Sequence, residues 1–190
     1  MREKVVFMGY VSAKPPRRAN PFTSGDLINL HNLEPALHHL QRMAIPPLNT
    51  DGLLPSGVHV CSMEELRSGF ARFQSSDRRP KLMQNLEAFL VEIRASGIVR
   101  ALVVNGSFVT SQEQPNDIDL LLVLPRGHDF RTDLGPAQYM VVNRTRVRRV
   151  YGLDVFVVED GSEDYVALVR LFQRVRLQPG LTKGILRIQL

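Results

Sequence analysis

A chain of 190 residues, 44% apolar and 23% charged, is long enough for one compact domain with a real core. No apolar run approaches the roughly 20 residues a membrane span needs, which excludes an integral α-helical membrane protein from the expectations. The formal charge of +5 favours acidic partners such as nucleotides or nucleic acid, although codon bias in a GC-rich genome produces the same excess.

Residues 1–42 differ in composition from the rest. MREKVVFMGYVSAKPP begins basic, but its apolar run is too short and broken for a signal peptide. Lys14-Pro15-Pro16-Arg17-Arg18 and Asn20-Pro21 interrupt regular structure, and Leu33, Leu37 and Leu40 give a short helix ending near Met43. This segment is expected to be a poorly ordered or peripheral extension, with the domain proper at 43–190. Residues 45–59 are rich in proline and glycine and read as an ordered loop or linker. Cys61 is the one cysteine and cannot form an internal disulfide, which suits a reducing, cytoplasmic setting.

Ser62-Met63-Glu64-Glu65 reads as a capping box opening a helix that places Leu66, Phe70 and Phe73 on one side. A second helix is expected after Pro80, with Leu82, Leu86, Phe89, Leu90 and Ile93 at helical spacing and Gly97 ending it. The period then changes. Val99–Val104 and Ile118–Leu124 read as buried strands, and Pro136 to about Val150 as a helix. Leu153–Val158 reads as a third strand. Ser162-Glu163-Asp164 opens a helix to about Val175, and 184–190 reads as a final edge strand. The alternation makes an α/β or α+β fold, a small mixed sheet flanked by helices.

Within that pattern the stretch 103–124, VNGSFVTSQEQPNDIDLLLVLP, carries the chemistry. Residues two apart on a strand share a face, so Asp117 and Asp119 project together at the start of a buried strand. Buried charge is costly unless paired or bound to metal, and two convergent carboxylates suit a magnesium or manganese ion shared with substrate phosphates. Gly106-Ser107 ends the preceding strand. Glycine allows a phosphate close to the backbone, and the serine supplies N–H and hydroxyl groups. Asp154 stands alone among apolar residues and either completes the acidic set or is a strand acid satisfied by an arginine or by backbone. His31, His38, His39, His59 and His128 show no zinc-ligand spacing. Arg144, Arg146, Arg148 and Arg149 precede the Asp154 strand. On a helix Arg144 and Arg148 share a face with Arg149 beside them, Arg146 points elsewhere, and Val147 and Val150 face the core. This ridge is either a solvated face or a contact for triphosphate or RNA.

Gly106-Ser107, nine residues, Asp117-Ile118-Asp119, and Asp154 on a later strand resemble the nucleotidyltransferase superfamily typified by DNA polymerase beta. Asn105 departs from it, since an apolar residue is usual before the glycine. With GLLPSGVH (52–59), GSFVT (106–110), PNDIDL (115–120), LDVF (153–156) and KGILRIQL (183–190), the chain is more closely similar to a family of uncharacterised bacterial nucleotidyltransferase-like proteins, from about residue 43 onward. The resemblance implies transfer of a nucleoside monophosphate from a nucleoside triphosphate to a hydroxyl of RNA, protein or a small molecule. Asp117, Asp119 and Asp154 would hold the metal, Gly106 and Ser107 the phosphates, and Asp154 would also serve as base. The superfamily also includes inactive members. The alternative is therefore a non-catalytic binding module with a partner protein, as in a toxin–antitoxin or phage-defence pair.

Overall fold

The computed structural model describes residues 45–190 apart from 73–75 and 177. The expectations for residues 1–42, the Leu33–Met43 helix and Phe73 lie outside the described residues. Among those described, five α-helices accompany one five-stranded mixed sheet, as the α+β reading required.

The first strand, β1 (Gly57–Val60), falls where a loop or linker was expected. It is only four residues long and sits among prolines and glycines, so its sequence carries no strand signal. Its partner supplies the missing term: β1 runs parallel to β5 (Gly184–Gln189). Strand β5 is consequently internal, between β1 and β2, and not the expected edge strand. Gly184 is required there, because a Cβ would meet the Pro55 carbonyl at 2.3 Å.

Helix α1 (Met63–Phe70) starts at the expected capping box. The Glu65 N–H donates to Ser62 Oγ at 3.1 Å, and the Ser62 N–H donates to Glu65 Oε2 at 2.7 Å. Helix α2 (Arg78–Ser96) begins two residues before Pro80, which occupies the first turn, where no N–H is needed for the helix. It buries the expected Leu82, Leu86, Phe89, Leu90 and Ile93 and ends on left-handed Gly97. Strands β2 (Ala101–Asn105) and β3 (Ile118–Leu124) follow, joined by a loop with a short 3₁₀ turn at Ser107–Val109.

The helix expected over 136–150 is two helices, α3 (Pro136–Val142) and α4 (Arg144–Tyr151). Asn143 breaks it. Its side chain accepts the Arg146 N–H at 2.9 Å, offering the backbone an alternative to a continuous helix. Val147 is buried as expected, but Val150 is 50% exposed. So short a helix buries a narrow stripe, and Val150 lies 60° off the Val147 line. Strand β4 (Leu153–Glu159) and helix α5 (Glu163–Phe172), capped by Ser162, complete the described elements.

The strand order is β1-β5-β2-β3-β4, with β1–β5 and β3–β4 parallel and the two central pairings antiparallel. One sheet face, with Leu102, Val104, Leu120, Leu122 and Leu186, packs with Leu86, Phe89 and Ile93 of α2, Val141 of α3 and Val147 of α4. The other, with Ala101, Val103, Leu121, Val123 and Ile185, packs with Phe172, Tyr165, Leu168 and Val169 of α5. Covering on both faces explains the unbroken apolar run over residues 120–124 of β3. By the period of two, Asn105, Asp119, Asp154 and Lys183 extend this second face past the end of its apolar core. A polar row thus begins where the hydrophobic packing stops.

Candidate active site

Backbone register assembles the row. Asp119 stands opposite Asn105 across the antiparallel β2–β3 pair and opposite Asp154 across the parallel β3–β4 pair. Two acids 35 positions apart in sequence are thereby placed side by side on the sheet. Asp117 lies one residue before β3. Burial pushes the Asp119 carboxyl above its usual range, and the Asp117 and Asp154 charges push the same way. Lys183 and Arg176 oppose that shift. Both of the other acids singled out in the sequence therefore act on Asp119.

Gly106 borders this row with φ 89° and ψ −168°, a backbone state open to glycine and rarely to any other residue. A Cβ there would stand 2.9 Å from Asp119 Oδ2. Ser107 opens the 3₁₀ turn, and its carbonyl accepts from Thr110 Oγ1 at 2.7 Å. Two arginines on the first turn of α2 hold the rest of the loop. Arg79, fully buried, donates to the carbonyls of Phe108 and Thr110 at 2.7 Å and to those of Phe70, Ser107 and Gln112. Burial lowers its guanidinium to about 10. Arg78 donates to the carbonyls of Pro115 at 3.0 Å and Asn116 at 2.9 Å, just before Asp117.

Lys183 is only 8% exposed. Its ammonium donates to Asn105 Oδ1 at 2.5 Å and to the Gly106 carbonyl at 3.3 Å. Burial lowers it to about 8, against the favourable pull of Asp119. The polar Asn105, anomalous as a sequence feature, is thereby explained as the acceptor for a buried lysine.

Asp154 is 9% exposed. Its Oδ2 accepts from Arg148 Nη1 in a short ion pair. Its Oδ1 has Arg144 at 3.9 Å but is buried with no hydrogen-bond partner. The Arg144 guanidinium also lies 4.6 Å from the Phe156 ring centroid. A cleft of about 450 Å³ opens here, lined by Arg144, Thr145, Arg148, Arg149 and Asp154. Arg146 points away, to a bidentate pair with Glu92 at 2.7 and 2.8 Å. The expected ridge of Arg144, Arg148 and Arg149 thus faces the same cleft as Asp154.

Among the described residues, no three His, Cys, Asp or Glu side chains are drawn together as a ready metal cage. Repulsion between the acids, and the hold of Arg148 on Asp154, give the physical reason. In kind, though not in arrangement, the donors match what magnesium or manganese takes: all are oxygen, their charges repel, and one buried carboxylate oxygen has no hydrogen bond.

Sequence reasoning missed Lys183, Arg78 and Arg79. The first had a faint signal, being one of four lysines and set directly before an apolar strand. The two arginines had another: cations on the first turn of a helix oppose its dipole and call for a compensating role.

A family profile matches residues 46–189, three quarters of the chain and all the residues of this site. The chain belongs to a family of unknown function, DUF6932. The match takes in every described strand and helix. No curated protein and no solved structure matches the chain.

Proposed function

We propose that this member of the family is a metal-dependent nucleotidyltransferase. The observation that carries the reading is the register pair Asp119–Asp154, set between the Gly106 turn and an arginine-lined cleft. In the reaction an acceptor hydroxyl oxygen attacks the α-phosphorus of a nucleoside triphosphate and forms the new ester bond. The bond from that phosphorus to the bridging oxygen breaks, and pyrophosphate leaves with the electron pair. Asp154 takes the acceptor proton. Asp117, Asp119 and Asp154 would hold magnesium or manganese, which when bound supplies charge neutralisation and makes the hydroxyl more acidic. Gly106 and Ser107 face the phosphates, and Arg144, Arg148 and Arg149 offer them guanidinium donors. The protein's share is positioning and electrostatics. A cytoplasmic setting suits the one cysteine: Cys61 is buried, and burial pushes its thiol up to about 12. No helix among the described residues is long and apolar enough to cross a membrane.

A second reading has its own observation. Arg148 already neutralises Asp154, and the Lys183 charge lies near Asp119, so the chain supplies counter-ions to its own acids. This favours a non-catalytic module of the same fold that binds nucleotide or a partner protein, as in a toxin–antitoxin or phage-defence pair.

One experiment separates the two. The full chain is incubated with each α-labelled triphosphate, manganese or magnesium, and total cell RNA or protein. Metal-dependent label in either acceptor, lost in Asp119→Asn, supports transfer. Binding of nucleotide with no transferred label under every condition supports the module.

A further inference from the structure

We propose that Lys183 is a positioning residue, which pins the Gly106–Ser107 peptide so that the Ser107 N–H faces outward as a phosphate donor. A trans peptide is planar, so the Ser107 N–H points opposite to the Gly106 carbonyl. That carbonyl is turned toward the Lys183 ammonium, which is almost wholly buried. The N–H, on the opposite edge of that plane, is therefore directed away from the ammonium.

Gly106 is also crowded at its α-carbon. Gly106 lies so near Asp119 that even a methyl group would not fit without displacing the carboxylate. The ammonium at the carbonyl and the carboxylate beside the α-carbon border a backbone state with φ 89°. Asn105 completes the arrangement. A buried ammonium has three N–H groups to satisfy, and an apolar residue at 105 would remove its closest acceptor. Lys183, Asn105 and Gly106 thus form one unit across β5 and β2, outside the acidic set that carries the chemistry. The phosphate half of this inference rests on the nucleotidyl-transfer reading; the hold on the turn stands on the geometry alone.

The test is amide-resolved NMR on the full chain, comparing the parent with Lys183→Met and Asn105→Leu, alone and with inorganic pyrophosphate. Without ligand, both variants displace the Gly106, Ser107 and Phe108 amide resonances and leave those of α5 in place. Pyrophosphate moves the Ser107 amide in the parent, and its Kd rises about tenfold or more in Lys183→Met, the loss expected for one charge-assisted hydrogen bond. Superimposable Gly106 and Ser107 resonances in Lys183→Met and the parent overturn the inference, as does parental pyrophosphate affinity in that variant. If Ser107 ignores pyrophosphate in the parent while the ligand-free displacement is present, the phosphate role falls together with the nucleotidyl-transfer reading, and the hold on the turn is upheld. Should Lys183→Met fail to fold, Asn105→Leu removes the acceptor, keeps the ammonium and gives the same readouts.

Discussion

At the residue scale the site is a balance of buried charges, and pH reads it. The Lys183 ammonium is lowered to about 8 by burial. Between that value and the ordinary lysine value near 10.4, the unfolded chain holds a proton that the folded chain has released. Stability therefore rises with pH across this window, and the cost of burying the charge is fully present below pH 8. The stability difference between the parent and Lys183→Met should grow by roughly 3 kcal/mol in favour of the parent from pH 8 to 10.5. Urea titrations at matched pH values check it; a pH-independent difference would mean that Lys183 titrates normally. The acids were legible in the sequence because an isolated aspartate in an apolar strand is conspicuous. Lys183 was not, since only the β5–β2 pairing brings it to Asn105, 78 positions away.

At the element scale, α2 both covers the sheet and carries the two arginines that hold the site loop. Removing Arg79 leaves several buried carbonyls without a donor, each worth about 1–3 kcal/mol. Arg79→Met should destabilise the fold by about 3 kcal/mol or more in chemical denaturation, whereas Arg78→Ala should cost about 1 kcal/mol. Equal, small effects would show that the loop holds itself. Helix α4 presents Arg144, Arg148 and Arg149 to the cleft beside Asp154. Alanine at Arg144, Arg148 and Arg149 together should weaken triphosphate and RNA binding. The slope of log K against log salt for RNA should flatten by roughly one per lost phosphate contact. Unchanged binding at every salt concentration would make the cleft ordinary surface. The face these arginines share followed from helical spacing alone, but the break at Asn143 did not. A side-chain oxygen that caps one N–H decides it, and no apolar period records that choice.

At the scale of the whole molecule, both faces of the sheet are packed by residues lying within 45–190. A chain beginning at Met43 should therefore keep its melting temperature within a few degrees of the full-length protein. A drop of many degrees in calorimetry would show that the earlier residues contribute to the core.

Sequence alone was enough for the α+β class, for α1 and α2, and for the acids and glycine that mark the candidate site. Each rests on a local rule: a side-chain cap, an apolar period, or charge set against an apolar background. The tertiary structure decided what local rules cannot reach. Strand β1 exists because β5 lies beside it, and β5 is internal for the same reason. Asp119 faces Asp154 because parallel register aligns strands separated by two helices. Lys183 belongs to the site because hydrogen bonds between strands bring together side chains distant along the chain, and pairing energy between strands depends on the partner as much as on the strand itself.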